Sequence, residues 1–304
     1  MLYENISDLY RIKCKDYNIY LHLLYLWFII RLIVEKKLEV GDKMVITSFV
    51  NVKGGVGKTT SAINVGGELI RRGYRVLFID NDSQSSLSQI MKKEDEEFTM
   101  YELYSIPRVG FDDCISKISE NLYIIPNKIQ SAILETELNN RMSREVVLRN
   151  KLDTLTEKFD WVLIDNSPFL GLCVQNSLAI SDNIIEVIDN SPSALQGLRM
   201  VKKLVLEMED NLVFKDLKLL GVLRNRFDKV TRFSKQISEV LEDNLGENLF
   251  DTIIYDSVKY KESVTMNRVI QEYSKSHSKP YKKLVDEMID RIDRGLNPLN
   301  MQDI

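Results

Sequence analysis

Cysteine is scarce in this chain of 304 residues: Cys14, Cys114 and Cys173 lie far apart, with no C-x-x-C pair. Thiols scattered in this way lack metal-ligand spacing, fit a reducing compartment and are expected as small core residues. Strong net charge is lacking too. A formal charge of −4 excludes a basic coat over the whole surface, yet it leaves room for a local basic face. There is no internal repeat and no proline-rich linker. What remains is a hydrophobic fraction of 44% and a charged fraction of 28%, enough for a sizeable core in one large α/β domain or two small ones.

One stretch departs from this pattern. Residues 17–34 (YNIYLHLLYLWFIIRLIV) are nearly all apolar, interrupted by His22 and Arg31. A membrane span needs about 20 mostly apolar residues, and no small-residue cleavage site follows as it would in a signal peptide. Three readings stay open: a mis-assigned start with translation beginning at Met44, a membrane-associating helix, and a helix packed in a soluble protein. The first makes 1–43 an extension that carries none of the motifs and 44–304 the working domain.

From Met44 onward, short apolar segments alternate with helical patterns. Strands are predicted at 45–50, 75–79, 122–125, 161–164, 183–188 and 217–223, and helices at 59–72, 83–91, 144–158, 193–208, 231–245 and 281–294. Buried strands bracketed by helices imply an α/β fold: a mostly parallel twisted sheet with helices on both faces and ligands at the carboxyl ends of its strands. Lys92–Glu97 (KKEDEE) reads as a solvated loop. The apolar stripe Leu284, Val285, Met288, Ile289 and Ile292 reads as a docking face.

Chemistry is concentrated in three motifs. The first is Lys53-Gly54-Gly55-Val56-Gly57-Lys58-Thr59-Thr60, between a strand and a helix. Its glycines let backbone N–H groups close around phosphate oxygens, and the helix N-terminus adds partial positive charge. Lys58 can reach the β- and γ-phosphates of ATP, and the Thr59 hydroxyl can ligate Mg²⁺. Valine at 52 departs from the strict G-x-x-x-x-G-K pattern, and a second lysine, Lys53, opens the loop. The second motif, Asp80-Asn81-Asp82-Ser83-Gln84, ends a strand with two carboxylates that could act in catalysis or cap the helix at 83–91. The third, Trp161-Val162-Leu163-Ile164-Asp165, is an apolar strand ending in an acid suited to Mg²⁺.

These motifs resemble the ParA/MinD group of P-loop ATPases with the deviant Walker A signature KGGVGKT, closest to ParA (Soj-like) partition proteins. The likeness runs from about Met44 to Met288. It implies that Lys53 crosses a dimer interface to the partner's phosphates, that Asp82 orients the attacking water, and that Asp80 and Asp165 support Mg²⁺. Asn166–Gly171 matches the family's D-x-P-P-S-L-G loosely, and serine at 83 replaces its proline. Residues 221–236 resemble the stretch with the adenine-facing residues, Asn225 being the candidate. Residues 251–262 resemble the segment with a DNA-contacting arginine, here Lys259.

Lys202, Lys203, Lys215, Lys218, Arg224, Lys229, Arg232, Lys235, Lys259 and Lys261 gather in the carboxyl-terminal half. Lys229, Arg232 and Lys259 are the candidates for non-specific contacts to DNA phosphates. The resemblance implies an ATPase that dimerises on ATP, binds DNA and is stimulated by a small ParB-like centromere-binding protein in a cytoplasmic, nucleoid-associated setting. Three alternatives lack a required feature. A MinD-like membrane ATPase needs a basic amphipathic tail, and residues 297–304 (NPLNMQDI) provide none. A P-loop tyrosine kinase needs a tyrosine-rich tail, whereas the last tyrosine is Tyr281. A nitrogenase-reductase-like carrier needs paired cysteines.

Overall fold

The computed structural model describes residues 44–211 and 217–295. The apolar 17–34 segment, Cys14, Lys215 and the 297–304 tail lie outside the described residues. Strands β1 (Val45–Val50), β2 (Val76–Asn81), β3 (Ser116–Lys117), β4 (Leu122–Ile125), β5 (Trp161–Asn166), β6 (Asn183–Ile188), β7 (Lys218–Phe227) and β8 (Leu249–Tyr255) form one sheet of order β3-β4-β2-β5-β1-β6-β7-β8. Every pairing is parallel except β3–β4. The helices are α1 (Lys58–Arg71), α2 (Ser86–Ile90), α3 (Met100–Ser105), α4 (Leu134–Asn139), α5 (Val147–Lys151), α6 (Leu172–Ile180), α7 (Ala194–Asp210), α8 (Arg232–Leu245), α9 (Val258–Thr265), α10 (Ile270–Tyr273) and α11 (Lys275–Asp293).

Alternation along the strands divides the core between the two faces of the sheet. Val76 and Phe78 of β2 pack with Val65 and Leu69 of α1 and with Leu284, Val285 and Met288 of α11. Leu77 and Ile79 of the same strand pack the other way, with Leu103 of α3 and Leu138 of α4. Helices therefore cover both faces, which is why these strands read as continuous apolar runs. The stripe on α11 is a docking face, as its spacing predicts. Among the described residues, no helix is long and apolar enough to cross a membrane.

The structure departs from sequence expectation in several places. The helix predicted at 144–158 is broken into a 3₁₀ turn, the short α5 and a second 3₁₀ turn. Tertiary hydrogen bonds hold this segment: Lys151 Nζ donates to the carbonyls of Leu103, Ile106 and Val109 at 2.6, 2.7 and 2.8 Å. The Thr154 hydroxyl accepts from the Phe111 amide at 2.7 Å. Strands β3 and β8 are not among the predicted ones; both lie at edges of the sheet, and β3, of two residues, is too short to show a period. The final helix starts earlier, at Lys275, and carries Pro280 within it.

Glu186 on β6 is an exception inside this core. Its strand neighbours are Val50 and Val222, it is fully buried, and neither carboxyl oxygen has a hydrogen-bond partner. Burial pushes its pKa from 4.5 up to about 8. Folding therefore takes up a proton at neutral pH. The stability linked to this group is whole below pH 4.5 and is lost as pH rises toward 8, at roughly 1.4 kcal/mol per pH unit. Glu186→Met, apolar and of similar volume, should raise the melting temperature more at about pH 8 than at about pH 5. An equal effect at both values would show that Glu186 is not the source of that slope.

Candidate functional site

The sheet order places β2, β5 and β1 side by side, so the loops after these strands converge at their carboxyl ends. The loop after β1 supplies Lys53–Gly57 and leads directly into α1. Gly55 and Gly57 have φ of +76° and +95°, a left-handed backbone that costs glycine little. The N-terminus of α1 has no side-chain cap and no acid in its first turn, so its N–H groups remain for an anion. Gly54, Gly55, Gly57, Lys58, Thr59, Thr60 and Asp82 line a cavity of about 450 Å³. Val56, adjacent in the loop, is turned into the core.

The two lysines of the loop occupy different places. Lys58 is buried, and its Nζ donates to the carbonyls of Asn51 and Lys53 at 3.3 and 3.4 Å. Burial lowers its pKa, opposed by the charges of Asp165 and Asp82. Lys53 is half exposed, lines a separate cavity of about 190 Å³, and pairs with Asp189 of its own chain at 2.5 Å. Burial raises the Asp189 pKa, but hydrogen bonds from Lys53 and Ser191 outweigh it, and the net shift is downward.

Asp80 and Asp165 stand opposite one another in the β2–β5 register. Burial pushes Asp80 up to about 6, against hydrogen bonds from the Ser88 hydroxyl and amide at 2.6 and 2.8 Å. Burial first and Asp80 second raise Asp165 to about 8, opposed by Thr59 and Lys58. Asp165 Oδ1 is buried without a hydrogen-bond partner. A divalent cation suits this donor set, because it would neutralise adjacent carboxylates and engage the orphaned oxygen beside the Thr59 hydroxyl. Asp82 lies at the rim of the cavity, its Oδ1 accepting from the Gln84 amide at 3.0 Å. Asp80 also plays part of the helix-capping role considered from sequence, through the Ser88 amide of α2. The predicted helix at 83–91 is shortened to 86–90.

Asn81 and Asn166, which follow these acids on β2 and β5, form a polar layer. Asn81 Nδ2 donates to Asn166 Oδ1 at 2.8 Å and to the Cys173 carbonyl at 2.9 Å, while Asn166 Nδ2 donates to the Phe49 carbonyl at 3.2 Å. The signal was available, since β2 and β5 both end in Ile-Asp-Asn and the register pairs Asp80 with Asp165 and Asn81 with Asn166. Glu135, which no motif in the sequence marks, accepts from the Leu172 and Cys173 amides at 2.7 and 3.0 Å, holding the start of α6.

Asn225 is buried against the loop, with Nδ2 donating to the Val56 carbonyl at 2.7 Å. The basic residues divide. Lys229, Arg232 and Lys259 are exposed at the carboxyl ends of β7 and β8. Lys229 lies 4.7 Å from the Tyr255 ring, and Lys259 pairs with Glu262 at 2.8 Å. Arg224 does not belong to that surface. It is buried and donates to Ser238 at 2.6 Å and to the Phe250 carbonyl at 3.1 Å, because its position on β7 faces the packed α8. Lys261 lines the 450 Å³ cavity instead.

This fold and loop define a P-loop nucleotide-binding protein with a second signature lysine. A family model described as an AAA domain matches residues 44–219. Sporulation initiation inhibitor protein Soj of Bacillus subtilis is 32% identical over 230 residues, covering 75% of this chain and 90% of Soj. Chromosome partitioning protein ParA of Caulobacter vibrioides is 27% identical over 252 residues, covering 81% and 94%. A plasmid partition protein of Borrelia burgdorferi, solved with AMPPNP, superposes with a TM-score of 0.71 at 25% identity, covering 82% of this chain and all of that one. The chain belongs to the ParA/MinD-type family of P-loop ATPases.

Gly57 is the tightest point of the loop. A Cβ there would lie 2.2 Å from Asn225 Nδ2, on a backbone that disfavours any side chain. Gly57→Ala should therefore displace Asn225 and lower stability by about 2 kcal/mol or more, read as a fall in melting temperature. An unchanged melting temperature would mean that the loop has room the geometry does not show.

Proposed function

We propose that this protein is a partition or positioning ATPase that binds ATP with Mg²⁺, dimerises around the nucleotide, holds DNA non-specifically and hydrolyses ATP when a ParB-like partner stimulates it. The observation that carries this reading is the separation of the two loop lysines. Lys58 sits within the loop, where it can serve its own chain's phosphates. Lys53 lies outside that cavity, where a second chain's phosphates would be its natural counter-ion once it leaves Asp189. In this reading Thr59, Asp80 and Asp165 hold Mg²⁺, which supplies charge neutralisation at the phosphates. The backbone of residues 54–60 and Lys58 bind and orient the phosphates, and Asp82 orients the attacking water at the cavity rim. The setting is cytoplasmic and nucleoid-associated.

Nucleotide binding, ATP-driven light scattering and turnover measured together with DNA present test this assignment. Lys58→Ala should lose nucleotide. Lys53→Ala should bind nucleotide yet fail to dimerise. Asp82→Ala should dimerise but turn over slowly, on the order of a hundredfold or more below the unmodified chain, because a water-orienting group contributes chiefly in the transition state. Unmodified turnover in Asp82→Ala would reduce that residue to a loop contact. Undiminished dimer in Lys53→Ala would remove the crossing role.

DNA binding through Lys229, Arg232 and Lys259 rests on phosphate neutralisation, so it should need ATP, ignore sequence and fall steeply between about 50 and 200 mM salt. Lys259→Ala should weaken DNA binding and leave nucleotide affinity unchanged. Salt-independent affinity would count against the assignment.

A further inference from the structure

We infer that Asn225 and Arg226 are positioning residues that preset the peptide planes of the phosphate-binding loop. The inference rests on the nucleotide-binding reading above and deepens it. Two consecutive residues of β7 hold two consecutive carbonyls of the loop. Asn225 Nδ2 donates to Val56 O at 2.7 Å, and Arg226 Nη1 donates to Gly55 O at 2.6 Å. In a planar trans peptide the carbonyl and the following N–H point in opposite directions. Anchoring Gly55 O therefore turns the Val56 N–H away from β7, and anchoring Val56 O does the same for the Gly57 N–H. These are donors of the kind that cradle phosphate oxygens.

The backbone at the second residue is shaped for this contact. Arg226 has φ of +58°, a left-handed conformation uncommon for a bulky side chain and costly to hold. The β7–β8 ladder slips at the same point: Asn225 pairs with Ile254 and Phe227 with Tyr255, leaving Arg226 out of register. Such bulges re-aim a side chain, and here the guanidinium is brought to the loop. Arg226 Nε also faces Asp256 Oδ1 at 3.3 Å, which orients the group. Asn225 has no slack, as its Nδ2 lies where a side chain on Gly57 would begin. A base-contacting Asn225 would require no link to Val56 and no strain at Arg226.

The test compares Mg²⁺–ATP with Mg²⁺–tripolyphosphate, which has no base, as competitors of a fluorescent ADP analogue. The proteins are the full-length chain and its Asn225→Ala, Arg226→Ala, Arg226→Gly and Arg226→Lys variants. The loop brace predicts that Asn225→Ala and Arg226→Ala weaken both competitors by a similar factor, on the order of tenfold for one lost hydrogen bond to the loop. Arg226→Gly relieves the left-handed backbone, so it should match or exceed the unmodified melting temperature and still bind both competitors poorly. Arg226→Lys keeps a donor and should recover part of the loss.

Weakening of ATP with tripolyphosphate untouched would overturn the brace in favour of a base contact. Unchanged affinity for both would overturn any role in binding. If Asn225→Ala fails to fold, the three Arg226 variants decide alone. Failure of the unmodified chain to bind either competitor would overturn the nucleotide-binding reading itself, which separates that outcome from failure of the brace.

Discussion

Two carboxylates buried side by side set the terms for the rest of this site. Asp80 and Asp165 end adjacent parallel strands in matched register, shielded from water, and like charges at that distance cannot both ionise without compensation. Their pKa values are driven upward by burial and, for Asp165, by its neighbour, while Thr59 and Lys58 pull Asp165 the other way. In the reading proposed above, the two carboxylates are half of a charge balance whose other half would be Lys58 and a divalent cation. Lys58 alone is itself strained by burial, its pKa lowered.

The loop that carries Lys58 is held from several sides. Below it, Asn51 donates to the Val187 carbonyl at 2.7 Å and accepts from the Lys53 amide at 2.7 Å, tying the strand end to β6. Beside it, Asn225 and Arg226 hold its carbonyls. Behind it, α1 packs on β2 and α11 through a continuous apolar cluster. A loop fastened in this way needs little rearrangement to receive an anion, which is what preorganised electrostatic stabilisation requires. Lys53 is the exception, an exposed cation paired with Asp189 outside that cavity.

Much of this was legible in the chain itself. A Gly-rich segment ending in Gly-Lys-Thr between an apolar run and a helical pattern admits few readings, because phosphate binding demands closely approaching N–H groups. The acids at the ends of two apolar strands were equally visible, and so was the apolar stripe that docks α11. Less visible was the layer beneath. Asn81, Asn166 and Glu135 are ordinary polar residues in sequence, and only the β2–β5 register and the approach of α4 to α6 make them supports of the site.

Sequence alone determined the fold class and the loop chemistry, because periodicity, glycine and the order of strand and helix act over a few residues. Tertiary structure decided what depends on distance across the chain. It removed Arg224 from the basic surface by turning it toward α8, and it broke the 144–158 helix to satisfy carbonyls elsewhere. It also set Asn225 against the loop through a bulge at Arg226. Hydrogen-bond partners more than a hundred residues apart, such as Asn225 and Val56, are chosen by strand order and register, and no local pattern encodes those.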